Sequence, residues 1–256
     1  MAKIGTQGVF VKEIENALFA GDIDLAVHSL KDMPSQITPG LTLAAITERE
    51  DPRDALISRD NLPLDKLPAG ARIGTSSPRR ASQLLAHRPD LLLVNMRGNL
   101  DTRLRKARSV HYDGAILAAA GLKRMGWADQ ITEYIPFEVC LPAVGQGALA
   151  IETRENDEET KKLVAPLNDR ATNAAVTAER AFMRALDGGC QAPVGALGQI
   201  VNGELHLEGV VASLDGQRVV RERISGPPER ADQLGCDLAL VAISLGAGEI
   251  LDSSRG

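Results

Sequence analysis

Apolar residues recur at helical spacing between Gly8 and Ala20 (Val9, Phe10, Ile14, Ala17, Leu18), and Gly21 follows as a stop, so the pattern predicts a helix there. The next stretch, Asp24 to Pro34, changes period. Its first half alternates and predicts a buried strand near 23–28; its second half crowds Ser29, Lys31 and Asp32 together before Pro34. A short strand follows at Leu41 to Ile46. The run Glu48-Arg49-Glu50-Asp51-Pro52-Arg53-Asp54 is dense in charge and broken by proline, which predicts a hinge or linker. Beyond it, strands near 71–74, 91–95 and 114–118 alternate with helices near 78–88, 99–109 and a short one through Arg124. Such alternation predicts a parallel, doubly wound sheet.

A second breaker-rich crossing, Leu141-Pro142-Ala143-Val144-Gly145-Gln146-Gly147, leads into a strand at 148–152, and Glu155 to Arg184 reads as two helices. The character then shifts. Three strand-like runs (193–201, 204–213, 217–224) are joined by Asn202-Gly203 and Asp215-Gly216, both hairpin dipeptides, and a helix near 229–245 follows. This predicts a small antiparallel α+β module.

A chain of 256 residues with 44% hydrophobic content has room for roughly two or three domains. No apolar run approaches the ~18 residues of a membrane span. Met1-Ala2-Lys3-Ile4-Gly5 lacks the apolar core and cleavage site of a secretory signal. Three widely spaced cysteines argue for a reducing compartment and against a disulfide framework, so a cytoplasmic location is expected. The net charge of −5 is unevenly spread: residues 65–124 hold twelve Lys or Arg against four Asp, leaving the remainder strongly acidic. A basic block in an acidic protein suggests an anionic ligand held at one place. Seven aromatic residues in all, with only Tyr112 in the block, supply no stacking platform for nucleic acid. A small anion with several carboxylates or phosphates fits better.

Polar groups just past the carboxyl end of a strand are where open α/β sheets place ligands, which would set Asp32 facing a cleft beside Lys31 and Ser29. The alternative is an ordinary strand exit with a solvated Lys–Asp pair. Gly74-Thr75-Ser76-Ser77-Pro78-Arg79-Arg80 follows a strand and opens a helix, combining backbone N–H groups, capping hydroxyls and two guanidiniums as an anion cradle. Asn95-Met96-Arg97-Gly98-Asn99-Leu100-Asp101-Thr102-Arg103 makes a second such junction, and Arg124 closes the third unit. Arg105, Lys106 and Arg108 read as a solvated helix face. Gly188-Gly189-Cys190-Gln191-Ala192-Pro193 describes a tight loop whose cysteine is a nucleophile, an attachment point or an unremarkable loop residue. Cys140 and Cys236 read as packing residues, and His28 as a strand residue with a satisfied hydrogen bond. Four scattered histidines offer no metal site.

Taken together and in order, Val27-His28-Ser29-Leu30-Lys31-Asp32, Glu50-Asp51-Pro52-Arg53-Asp54, Gly74-Thr75-Ser76-Ser77 with Arg79-Arg80, Arg97-Gly98-Asn99, the 141–147 crossing and Gly188-Gly189-Cys190-Gln191 resemble the hydroxymethylbilane synthases, or porphobilinogen deaminases, from about residue 2 to the C-terminus. The resemblance implies an α/β fold of two periplasmic-binding-protein-like doubly wound domains, the first incomplete at its N-terminus, and a C-terminal α+β domain with a three-stranded antiparallel sheet. Their expected extents are 1–47 with 147–166, 53–141 and 168–256. It implies a monomeric transferase of haem biosynthesis that binds neither nucleic acid nor membrane. The enzyme condenses four porphobilinogen molecules head to tail with loss of ammonia and releases hydroxymethylbilane by hydrolysis. A dipyrromethane cofactor would be attached covalently through Cys190. Asp32 would hold pyrrole N–H groups and steady the cation formed as ammonia leaves, while Arg79, Arg80, Arg97, Arg103 and Arg124 would grip acetate and propionate arms. Ser29, Lys31, Thr75, Ser76, Ser77, Gln146 and Gly147 would support the cofactor, with Lys3 and Phe10 on the substrate side.

Two departures accompany the resemblance. Gln7 replaces a lysine common in the family. In relatives roughly fifty residues, a strand, a helix and another strand, precede the position of Lys3, and a first sheet without them would expose apolar faces and unpaired edges. A weakly active remnant and a periplasmic-type small-anion binding protein are the competing expectations; the missing signal and the Gly-Gly-Cys-Gln loop count against the latter.

Overall fold

The computed structural model of the chain describes residues 6–187 and 192–255. Helix α1 (Thr6–Ala20) ends where Gly21 turns left-handed at φ 76°, a conformation glycine adopts without strain. Strand β1 (Leu25–Ser29) runs into a single 3-10 turn at Leu30–Asp32, and β2 (Leu41–Ile46) follows. The chain then crosses to β3 (Asp54–Ser58), β4 (Arg72–Gly74), α2 (Pro78–His87), β5 (Leu92–Val94), α3 (Leu100–Ala107), β6 (Gly114–Ala118), α4 (Ala119–Arg124) and the short β7 (Glu133–Tyr134). It returns as β8 (Leu149–Arg154) and α5 (Glu158–Val164). The remainder comprises α6 (Arg170–Ala185), β9 (Val194–Val201), β10 (Glu204–Ala212), β11 (Val219–Gly226), α7 (Ala231–Ser244) and α8 (Ala247–Arg255).

The mixed α/β class stands, with two differences in detail. The first sheet has the order β1-β8-β2, and both pairings are antiparallel, Val27 opposite Ile151 and Ala45 opposite Ile151 on the other side. Its middle strand is the returning one, which runs against both neighbours. Beside β1, whose outer edge has no strand partner among the described residues, Leu25, Val27 and Phe19 are exposed. The second sheet has the order β5-β4-β6-β3-β7. Strands β5, β4 and β6 are parallel as the alternation predicts, but β3 joins antiparallel to β6. Residue 54, expected in a linker, instead opens a strand buried along its whole length. The second sheet is apolar on both faces: Leu56, Ile73 and Ile116 pack towards Leu84 and Cys140, whereas Ala55, Ile57 and Leu117 pack towards Met96 and Leu122.

The third sheet is the expected meander, β9-β10-β11, turned at Asn202 and Gly203 with φ of 52° and 84°. Helices α6 and α7 cover it around Phe182, Leu205, Leu207 and Leu234. Helix α8, which the sequence pattern does not predict, extends this cover through Ile250 and Leu251. Among the described residues no single helix is long and apolar enough to cross a membrane.

One side chain on α6 joins the parts. The fully buried Glu179 carboxylate accepts from Arg49 at 2.5 and 3.2 Å, from the Gly145 N–H at 2.7 Å and from the Gly198 N–H at 2.8 Å. Both crossings and β9 thus meet at one carboxylate, where fixed N–H donors replace water. Replacing Glu179 by Ala strands the Arg49 guanidinium and two N–H groups, and a loss of roughly 3–5 kcal/mol is expected, since breaking one half of a buried ion pair leaves an uncompensated charge. Urea unfolding of the two proteins measures it, and unchanged midpoints would contradict the role.

Candidate active site

The site is organised by a carboxylate that the sequence reading placed in a linker. Asp54, with no exposed surface, opens β3. Its Oδ2 accepts from Arg79 Nη1 at 2.6 Å; its Oδ1 accepts from Arg80 Nη2 at 2.7 Å, Arg80 Nε at 3.0 Å and Gln146 Nε2 at 2.9 Å. Arg79 also donates to Leu141 O at 2.7 Å and lies 3.3 Å from Cys140 Sγ, while Arg80 donates to Ile116 O at 3.0 Å. Burial pushes the Asp54 carboxyl up, but attraction to Arg79 and Arg80 outweighs it and holds the group well below the usual carboxylate range. Burial pushes the Cys140 thiol up to about 12, so Cys140 is a neutral packing residue, as expected.

The local sequence explains why two arginines point inward. After β4, Thr75 Oγ1 accepts from the Ser77 N–H at 3.2 Å, Ser76 Oγ donates to Met96 O at 3.2 Å, and Ser77 caps α2 by accepting from the Arg80 N–H at 3.4 Å. Pro78 occupies the first turn, where its missing N–H costs nothing. The three hydroxyl residues therefore build the junction, and the adjacent Arg79 and Arg80 enter the interior at 4% and 6% exposure. Part of the positive excess of the 65–124 block is thus neutralised internally, by an acid outside that block. Asp54 was missed because its charge hides the start of the apolar run Ala55-Leu56-Ile57; two adjacent cations at a buried helix start were the available signal that a carboxylate must face them.

From the first sheet, Lys31 Nζ donates to Gln146 Oε1 at 3.4 Å, and Gln146, 1% exposed, donates onward to Pro52 O at 2.7 Å and to Asp54. Burial and the nearby Arg80 charge lower the Lys31 ammonium to about 8, with Asp32 and Asp54 opposing. Arg103 in α3 is half-buried, its pKa lowered by burial and by Arg80, while Asp32 favours its charge. Its Nε, like that of Arg79, is buried without a hydrogen-bond partner. Asp32, Lys31, Gln146, Arg79, Arg80 and Arg103 therefore converge. The others stand further out. Ser29 ends β1 exposed, Arg97 is exposed, and Arg124 donates to Gly147 O at 2.6 Å. Gly147 has φ 92°, and a Cβ there would lie 2.2 Å from Glu50 O, so its role in the structure is a close crossing of backbones. Lys3 and Cys190 lie outside the described residues, as does the side chain of Phe10. His28 meets its expectation, with Nε2 3.0 Å from Glu152 Oε2.

Asp54→Asn leaves two buried guanidiniums without a counter-charge, and a loss of roughly 3–5 kcal/mol at neutral pH is expected. A depressed carboxyl contributes stability above its unfolded pKa, about 3.9, and loses it as pH falls through that value towards the folded one. The Asp54→Asn substitution should therefore also flatten the acid limb of a stability–pH curve; parallel urea curves for both proteins between pH 7 and pH 3 would refute the assignment.

A family model described as "Porphobilinogen deaminase, dipyromethane cofactor binding domain" matches residues 1–162, and one described as "Porphobilinogen deaminase, C-terminal domain" matches residues 173–243. A relative named porphobilinogen deaminase from Pelotomaculum thermopropionicum is 52% identical over 255 residues, covering 100% of this chain and 82% of its own length. Another of that name from Geobacter metallireducens is 53% identical over 251 residues, covering 98% of this chain and 79% of its own length. Among solved structures, a TRAP periplasmic solute binding protein from Desulfovibrio salexigens overlays with a TM-score of 0.37 and 14% identity over 61% of this chain and 57% of that one, a likeness too slight to carry weight. Two family models covering most of the chain, and relatives that agree with it at half of all positions, place it in the porphobilinogen deaminase family.

Proposed function

We propose that the convergence of Asp32 and Lys31 with Arg79, Arg80 and Arg103 is the reaction centre of this transferase. The reaction is that of hydroxymethylbilane synthase: four porphobilinogen molecules are joined head to tail with release of ammonia, and hydroxymethylbilane is freed by hydrolysis. The observation that carries the assignment of the centre is the meeting of one carboxylate from the first sheet with cations from the second. Each pyrrole of the substrate brings an acetate and a propionate, and guanidiniums fixed by hydrogen bonds suit such carboxylates by their planar fork. When ammonia departs it takes the electron pair of the C–N bond, leaving positive charge spread over the pyrrole. Asp32, half-buried, steadies that charge and accepts a hydrogen bond from the pyrrole N–H.

The residues present also suit a dipyrromethane group. The buried and unpartnered Nε atoms of Arg79 and Arg103 are donors that a ligand with several carboxylates would satisfy. When bound, dipyrromethane supplies the pyrrole terminus on which elongation starts. In this reading Cys190 anchors it as a thioether, and Lys31, Gln146 and the 75–77 hydroxyls frame its arms. Arg97 and Arg124 take later carboxylates at the rim, and Lys3 and Phe10 border the incoming substrate. The protein works as a cytoplasmic monomer on a small molecule.

Intact mass of the protein exposed to porphobilinogen tests the anchor: a dipyrromethane adduct is expected on the parent chain and its absence on Cys190→Ser, and a parent chain without adduct would overturn the proposal. Lys31 carries its proton below about 8 in the free site, and an anion favours that protonated form. The KM for porphobilinogen should therefore rise as pH climbs through about 8, and Lys31→Met should remove this inflection; a KM profile identical in both proteins would exclude Lys31 as a carboxylate contact.

A further inference from the structure

The turn that carries Asp32 is held from one side by helix α6. Thr172, Val176 and Arg180 are spaced four apart on α6 and so share one face. All three touch the part of the chain that bears the site. Thr172 Oγ1 accepts from the Arg49 N–H at 3.2 Å; Val176 packs with Leu30 and Met33, the residues flanking Lys31 and Asp32; and Arg180 Nη2 donates to Pro34 O at 2.7 Å and Ser35 O at 3.2 Å. On its open side the segment borders a cleft of about 500 Å³ lined by Ser35, Gln36, Ile37 and Leu41, with Arg180 and Arg184 opposite. Packing therefore restrains the turn on the Leu30 and Met33 side, and the Arg180 hydrogen bonds restrain its exit. The same helix ends at Ala185, five residues before Cys190.

We propose that Arg180 is a positioning residue for the condensation reaction. It clamps the segment after Asp32 to α6, and so fixes the Asp32 carboxylate relative to that helix. The inference rests on the assignments of Asp32 and Cys190 made above. The two N–H groups of Nη2 donate to two successive carbonyls, Pro34 O and Ser35 O, and so hold the exit of the turn, while the apolar contact through Val176 holds its other side. The clamp acts through backbone carbonyls and therefore on the position of the segment that carries Asp32.

The test compares Arg180→Met, which keeps an unbranched stem and loses the donors, with Arg180→Lys, which restores a single donor nitrogen on a shorter reach, each made in the full chain. With Arg180→Met, kcat for porphobilinogen consumption should fall by roughly tenfold to a hundredfold, the scale expected for misplacement of a catalytic group by about 1 Å. KM should stay near the parent value, and the urea midpoint should fall by no more than the loss of the Pro34 and Ser35 hydrogen bonds accounts for. Arg180→Lys should recover part of kcat. Mass spectrometry of reacting protein should show Arg180→Met accumulating adducts with fewer pyrrole additions than the parent at equal times. An unchanged kcat overturns the inference, as does a loss of kcat that follows loss of stability and is not relieved by lysine. Asp32→Asn is measured alongside. If it turns over normally, or if the parent chain gains no adduct, the underlying site assignment is what fails; if it is inactive while Arg180→Met is normal, only the positioning role fails.

Discussion

Two guanidiniums and one carboxylate buried together set the terms for everything near the site. Each ion taken out of water costs several kcal/mol, recovered only where geometry is good and the remaining donors are satisfied. Asp54 meets that requirement with four hydrogen bonds from nitrogen and one from the Cys140 thiol on its two oxygens, and Arg79 and Arg80 direct further donors to the carbonyls of Leu141 and Ile116. The arrangement still leaves one positive charge in excess, and Lys31 adds another nearby. Burial is the first cause of the lowered Lys31 pKa and the nearby Arg80 charge the second, so the interior resists one more proton there. A region with unneutralised cations beside packed strands raises the local concentration of anions. An acidic ligand relieves both the excess charge and the orphaned donors, so the same interaction that makes the second sheet foldable prepares its affinity for carboxylates.

The legible parts of the chain were those decided locally. Strand β6 and helix α2 follow from period and caps, and the Asn202-Gly203 dipeptide dictates its own turn. The first sheet was less readable because its centre, β8, comes from more than a hundred residues downstream of β1, and nothing near Val27 encodes a pairing with Ile151. Strand β3 was hidden for an electrostatic reason. A carboxylate at the head of an apolar run reads as solvated unless its partners are known, and those partners lie 25 and 26 residues away. The family resemblance named Arg79 and Arg80 but not what they do in the folded chain, which is first to hold Asp54.

The two crossings also turn out to be part of the machinery rather than tethers. Glu50 N–H donates to Gly147 O at 3.1 Å, Arg124 donates to the same carbonyl, Lys123 pairs with the Glu50 carboxylate, and Arg53 lies over the Tyr134 ring at 4.4 Å. Gly147 permits the closeness, since any Cβ would collide with Glu50 O. The segments between the first and second sheets are thereby laced to each other and to α4, while Glu179 fastens them to α6. Relative motion of the sheets must work against these bonds.

Within that crossing the choice of an amide at position 146 follows from its neighbours. The side chain must accept from Lys31 and donate to Asp54 and Pro52 O at once, and among residues of this length only glutamine does both without charge. A glutamate would cancel the positive excess and repel Asp54. A lysine would face Lys31 and need an anion of its own. The neutral amide instead relays orientation between the sheets and leaves the charge balance to the ligand, so the site's preference for acidic groups survives the contact that assembles it.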